Sequence, residues 1–494
     1  MKYKAIGLAA LCGALLVGLL DWQMIFGNAD KGRYEQHKDA PAKQACTTRH
    51  SEGELCTHLP VISIETQETI PGKAITDEKG KVTGYTTAAD GSNRIRGRIS
   101  TFDSEDKYNH PTDTPTLTSE ITIHIRGNSS RTFDKPGYAV NLINSDGTDR
   151  AQSMLGMDAH ADWVLHGPFI DKSLMRNYMW YNIAGGIMDW APNVRFCEVT
   201  VNGEYMGLYV LCESITAGQD GARLSMSVDV KNNSFSGYVL RLDRGAANPQ
   251  KNLRTFSKYS LRTKNIIDLV YPGSGKSTPA LAEEIRQDFS DFEKALYSYD
   301  FDNPGDGYDT YIDTQSFVDY FLINEFTCNY DAGWLSTYIY KDISGKFRMC
   351  IWDFNSACDN YQESKMMPNN FEMQNCLWYV MLIKDEDFTD ALIKRYRELR
   401  GTFFSEEFLY DYIDSCIDYL GPAVERNFEK WGYTFEEEND VLSPAWRNPR
   451  SYDEAIESLK SFIAERGEWM DENIESLRQY SAESKIKKFV ENAN

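Results

Sequence analysis

The chain is short of positive charge: 52 Lys and Arg stand against 74 Asp and Glu among 494 residues, for a formal net charge of −22. Binding phosphate backbones needs a cationic field that releases counterions, so this deficit excludes nucleic acid as the main partner. No two cysteines stand at CxxC spacing and the 7 histidines form no HExxH, so no spacing signature of a zinc site is present and none is expected. Beyond residue 26 no apolar run is long enough to cross a bilayer. There is no internal repeat, and 16 Pro and 34 Gly are too few for a collagen-like or low-complexity chain. What is abundant is buriable surface. With 41% hydrophobic and 13% aromatic residues, the acidity does not signal disorder. At roughly 100–200 residues per domain, the length suits about two to four domains or one large core with insertions.

Lys2 and Lys4 precede an uncharged run over 5–20 that ends at Asp21. A basic start followed by an apolar run reads as an export signal, and residues 22–26 extend it toward an anchor. Gly27-Asn28-Ala29 places small residues at the two positions a signal peptidase reads. Residues 1–29 are therefore expected to be a signal peptide or membrane tether, which makes the chain extracytoplasmic, secreted or anchored at the cell surface. Residues 30–58 are charged and aperiodic and read as a linker, in which Cys46 and Cys56 could close a small loop in an oxidising compartment. Cys197, Cys212, Cys328, Cys350, Cys358, Cys376 and Cys416 stand singly in mostly apolar or aromatic surroundings and are expected to be buried small hydrophobes.

From residue 59 the pattern turns to short alternating strands at 61–65, 119–125 and 138–142. A helix is expected over 173–186 with Ser173 as its N-cap, then strands 194–201 and 204–212 around Asn202-Gly203, a strong hairpin signal, and a strand at 236–242. From about 280 helices dominate, at 281–297, 314–324, 388–404, 406–419 and 452–477, interrupted by one strand pair at 337–340 and 347–352. Strands first and helices later predict an α+β fold. A sheet-rich N-terminal lobe (about 59–245) and a helical C-terminal lobe (about 280–480) would flank a ligand cleft, with a tail over 481–494. The stretch Pro272-Gly273-Ser274-Gly275-Lys276-Ser277-Thr278 imitates a phosphate-binding loop, but Val270 stands where the pattern requires glycine, so it reads as a linker.

Four stretches carry chemistry. Arg126-Gly127-Asn128-Ser129-Ser130 offers backbone N–H groups and hydroxyls, followed by Lys135, and reads either as a triphosphate cradle or as an ordinary hairpin turn. Asp171 and Arg176 read as a structural ion pair beside Asn177. Glu213 ends an apolar strand, so its carboxylate either needs a partner, for which Lys135 is a candidate, or lies exposed at the strand end. Asp331 lies before the strand pair at 337–352 and Asp353 after it, so both can converge at the strand ends. One carboxylate that positions a hydroxyl and another that holds a divalent cation are what phosphoryl transfer needs; a glycosidase carboxylate pair is the rival.

Taken together, these stretches resemble the CotH kinase family, named for spore coat protein H, whose members look like highly divergent protein kinases. The resemblance runs from residue 59 to about 472 and is strongest in IRGNSS…DKPGY, DWVL…DKSLMRNY, RFCEVTVNGEYMGLYVLCE and IWDFN. It implies an atypical two-lobed protein-kinase-like fold. It also implies transfer of the γ-phosphoryl group of ATP, with Mg²⁺ or Mn²⁺, to Ser or Thr of a secreted or cell-surface protein. Carried onto this sequence, Asp331 takes the catalytic-base position and Asp353 the metal position; Lys135 contacts the nucleotide phosphates, Glu213 orients Lys135, and Arg126 and Ser129 lie near the phosphates. Two positions depart from the family pattern: Ser336 stands where an Asn often binds the second metal, and Asn355 where a second Asp is common. Both keep an oxygen for a hard cation and remain candidate ligands, but the missing carboxylate implies weaker metal binding. A catalytically degenerate surface binding, adhesion or scaffold protein is therefore a second expectation.

Overall fold

The computed structural model describes residues 33–46, 54–218, 223–246, 248–260 and 266–484. The expected signal or anchor segment lies outside the described residues, and among these no helix is long and apolar enough to cross a membrane.

The first half closes into a seven-stranded barrel, with strands β1 (Val61–Thr66), β2 (Ile95–Phe102), β3 (Leu117–Arg126), β4 (Gly137–Ile143), β5 (Asp162–His166), β6 (Val194–Val201) and β7 (Glu204–Glu213). Around the barrel the order is β1-β6-β7-β5-β4-β3-β2, and only the β1–β6 pair is parallel. Alternation explains it: Ile121, Ile123 and Ile125 of β3 point into a core shared with Val140, Trp163, Val199 and Leu211, while Thr122 and His124 face outward, half-buried. The β6–β7 hairpin turns at Asn202 (φ +50°) and Gly203 (φ +81°), the left-handed pair that a tight hairpin requires and that Asn-Gly tolerates best.

A second, fully antiparallel sheet follows in the order β9-β10-β8-β11-β12, formed by β8 (Tyr238–Asp243), β9 (Asn252–Leu253), β10 (Ile266–Tyr271), β11 (Thr337–Lys341) and β12 (Phe347–Cys350). The strand expected to end the N-terminal lobe is therefore β8, and its partners come from the C-terminal half. The helices α2 (Arg176–Ile187), α3 (Pro279–Leu296), α4 (Thr314–Phe326), α5 (Glu386–Arg400), α6 (Glu406–Leu420), α7 (Pro422–Trp431) and α8 (Tyr452–Asn473) share one apolar core with this sheet; α4 lies on β12, while α2 lies on β6 and α7 on β7 of the barrel. The phosphate-loop imitation is a short exposed turn, and the helix after it begins at Pro279 with Thr278 as its cap.

Two expectations need correction. Residues 33–46 do not hang free as a linker. They carry a short helix, α1 (Gln36–Asp39), in which Gln36 is buried and bonds both the N–H and the carbonyl of Phe196, while Arg33 is clamped by Asn182 and the Ala191 carbonyl. Aperiodic charge hid this because the contacts are single polar anchors, not an apolar stripe. The cap of α2 is also not Ser173. The Asp171 carboxylate takes the Ser173 N–H (3.1 Å) and the Arg176 N–H (2.9 Å), so the helix begins three residues later. The seven apolar-context cysteines are all buried, as expected.

Candidate active site

Strand register brings the two acids together. Leu242 of β8 pairs with Thr337 of β11, and Tyr338 pairs with Cys350 of β12. The end of β8, the turn before β11 and the turn after β12 therefore share one end of the sheet. These segments carry Arg244, Asp331 and Asp353.

Asp353 sits at φ +59°, a left-handed conformation uncommon for a non-glycine residue. Two side chains one turn apart on α2 impose it. The Asp353 N–H donates to the Tyr181 hydroxyl (3.0 Å) and the Phe354 N–H to the Asn177 amide oxygen (2.8 Å). Arg176 pairs with Asp171 as expected (2.6 Å) and donates onward to the carbonyls of Ala357 and Cys358, fixing the continuation of the same turn. The stretch that reads from sequence as a plain ion pair is thus the clamp for the Trp-Asp-Phe turn.

Asp331 is partly buried, and its carboxyl is pushed up to about 6, first by burial and then by the Asp353 charge, with Arg244 acting in the opposite direction. Arg244 also reaches the Arg126–Ser129 loop. Asn128, with its amide oxygen oriented toward the guanidinium, accepts from Nη1 (2.9 Å) and Nε (3.2 Å). Gly127 makes that loop possible at φ +112°, since a Cβ there would fall 1.9 Å from the Ser130 hydroxyl oxygen. Arg126 lies over the Trp352 ring at 5.3 Å, next to Asp353, and Asn128 and Ser129 are exposed. Beside Asp331 opens a cavity of about 530 Å³ lined by Arg244, Tyr330, Trp334, Met373 and Leu377. Clefts of about 790 and 820 Å³ elsewhere contain neither acid, so chemistry and not volume selects this site.

The structure does not bring every expected residue here. Lys135 is 1% exposed; its ammonium donates to Asn427 of α7 (2.7 Å) and lies over the Tyr209 ring at 5.3 Å, between the barrel and α7. Burial, and after it the neighbouring Lys172, pulls its pKa well below the usual lysine range. Glu213 is equally buried and accepts from the Asn193 N–H (2.8 Å) and side-chain amide (3.1 Å). The expected Lys135–Glu213 pair is therefore absent. Gly207, beside Asn427, and Glu213 are six residues apart on one strand, so the two charges occupy different ends of β7. Arg244 carries no sequence signal beyond being a cation directly after a strand, so it is not legible before the strands are in register.

The oxygen donors of Asp331 and Asp353 suit a hard divalent cation, and the upward shift that Asp353 imposes on Asp331 is the repulsion such a cation would relieve. Asn355 donates its amide to Asp353 (2.9 Å) while its oxygen accepts from Asn177 (3.1 Å), so it holds the Asp353 carboxylate in place instead of turning an oxygen toward it. Ser336 lies partly buried in the turn that carries Asp331, at φ +48°.

The chain thus joins a sheet-rich half to a helical half, with Asp331, Asp353 and Arg244 at one sheet end and a cavity beside Asp331. A family model described as CotH kinase protein matches residues 123–470, well over half of the chain, and the chain belongs to that family.

Proposed function

We propose that the chain is an atypical protein kinase that uses ATP and Mg²⁺ or Mn²⁺ to phosphorylate Ser or Thr of a secreted or cell-surface protein. The observation that carries this reading is the pairing of Asp331, lifted to about 6, with Asp353 at one sheet end facing Arg244 and a cavity. Asp331 would orient the acceptor hydroxyl and take its proton, for which a carboxyl near neutrality is well matched. Asp353 would hold the divalent cation, which when bound neutralises phosphate charge. Arg126, Arg244 and the loop from Gly127 to Ser129 would meet the phosphates, the place the family resemblance gave to Lys135. The basic start and apolar run over 5–20 support export or tethering outside the cytoplasm.

The test is a thermal-shift titration with ATP plus Mg²⁺ or Mn²⁺, followed by transfer of labelled phosphate. Saturating nucleotide should raise the unfolding temperature, since a ligand at a hundred times its Kd adds about 2.7 kcal/mol. Label transfer should vanish in Asp331→Ala and Asp353→Ala, and Arg244→Ala should raise the half-saturating ATP concentration by about tenfold or more. Equal transfer in both aspartate variants would sink the reading.

One observation favours a second reading, a catalytically degenerate surface binding or scaffold protein: Asn355 replaces a ligand carboxylate and spends its amide on Asp353. That protein would show no nucleotide-dependent shift.

A further inference from the structure

No cysteine spacing in this sequence resembles a zinc motif, yet the fold assembles a soft-metal ligand set away from the acids. The Sγ atoms of Cys46 and Cys56 and a ring nitrogen of His110 all lie within 4.8 Å of one another. Cys46 Sγ is 3.3 Å from His110 Nε2. The other ring nitrogen is already committed: His110 Nδ1 lies 3.1 Å from the Asp113 carboxylate, which also accepts the His110 N–H (3.2 Å). A carboxylate on Nδ1 fixes the tautomer whose Nε2 lone pair points at the sulfurs, the arrangement that supports metal-bound imidazoles.

The backbone holds all three arms in place without a metal. Gln44 and Tyr108 are joined by a bond from the Tyr108 N–H to the Gln44 carbonyl (3.1 Å), two residues from Cys46 and two from His110. Thr57 and Asn109 exchange both backbone bonds (3.2 and 2.7 Å), one residue from Cys56 and one from His110. Asn109 is anchored in turn by donating its amide to the Leu59 carbonyl (2.8 Å). His110 is buried while both cysteines are only half-buried, so the cluster is closed behind the ring and open on its sulfur side.

We propose that Cys46, Cys56 and His110 bind one Zn²⁺, with Asp113 as the positioning residue for His110 and solvent in the fourth position. Two thiolates balance the ion's charge, and an S₂N set selects zinc over the hard cations suited to Asp331 and Asp353. The ion would pin the segment before the barrel to the loop between β2 and β3, a structural clamp separate from the phosphoryl-transfer site.

The experiment uses the full chain purified with a thiol reductant, loaded with Zn²⁺ alone and freed of excess by gel filtration. Metal analysis should find about one zinc per chain, near zero in Cys56→Ser. Asp113→Asn, which leaves all three ligands in place, should weaken zinc retention against a competing chelator by about tenfold or more. Replacing Zn²⁺ by Co²⁺ in the unmodified chain should give a thiolate-to-metal charge-transfer band and the strong visible absorption of a tetrahedral site, a readout that survives if a variant fails to fold. Zinc content unchanged in Cys46→Ser/Cys56→Ser would overturn the proposal. So would a Co²⁺ spectrum without thiolate bands, or an intact mass showing a Cys46–Cys56 disulfide in the protein as isolated from its own compartment.

Discussion

Burial and the Asp353 charge lift the Asp331 carboxyl to about 6, so ionised Asp331 is a cost that the folded state carries and the unfolded chain, with an ordinary value of 3.8, does not. Between those two values the folded state holds the extra proton, so this residue's destabilising effect is full above pH 6 and fades as pH falls toward 4. Asp331→Asn is therefore expected to stabilise the protein by ~1–3 kcal/mol at pH 7.5 and by much less at pH 4.5. Denaturant unfolding at the two pH values checks this. The same variant should lose phosphoryl transfer, and in the unmodified protein transfer should fall off below about pH 6 as Asp331 gains its proton. Asp331 and Asp353 were legible because both sit beside strand-pair signals. Arg244 was not, since a lone cation after a strand is indistinguishable from a solvated one until the register places it.

Among the elements, α4 and α8 meet through one buried ion pair. Arg466 of α8 and Glu325 of α4 are both fully buried and joined side chain to side chain. Arg466 also donates to the carbonyls of Pro368 and Asn370 (2.7 Å each), and Glu325 accepts the N–H groups of Glu372 and Met373 (3.1 and 2.7 Å). The pair thus holds the wall of the cavity next to Asp331, because Glu372 and Met373 line it. Arg466→Met should cost ~3–5 kcal/mol, since it leaves a buried carboxylate without its cation, and adding Glu325→Gln should recover part of that loss. Chemical denaturation of the single and double variants measures both. The terminal helices themselves were readable from their apolar periodicity, but their mutual placement was not, because a fully buried arginine leaves no periodic trace.

For the whole molecule, the barrel and the helical half are joined by α7. Arg426 reaches the fully buried Glu198 of β6 (2.7 and 3.0 Å), and Asn427 accepts from Lys135 (2.7 Å) and from the Leu208 N–H (3.1 Å). Lys135 is an element of this joint, buried, with no carboxylate among the described residues in ion-pair contact with its ammonium. Lys135→Met keeps the volume and removes a charge that burial already disfavours, while Asn427 keeps its second donor. The variant should remain within ~1 kcal/mol of the parent stability, or exceed it, with an unchanged half-saturating ATP concentration. A folded Lys135→Met protein that no longer bound ATP would return the lysine to the nucleotide.

The sequence by itself determined the order of sheet and helix, the Asn202-Gly203 hairpin, the Asp171–Arg176 pair and the two acids worth testing, because alternation, turn chemistry and strand-end positions are local properties. Only the tertiary structure decided which cations face those acids, that Lys135 and Glu213 occupy different strand ends, that residues 33–46 are packed, and that Cys46, Cys56 and His110 meet. Each of these depends on register and closure between segments far apart in the chain, and a strand's own residues do not encode which neighbour it will pair with or where that neighbour's side chains will fall.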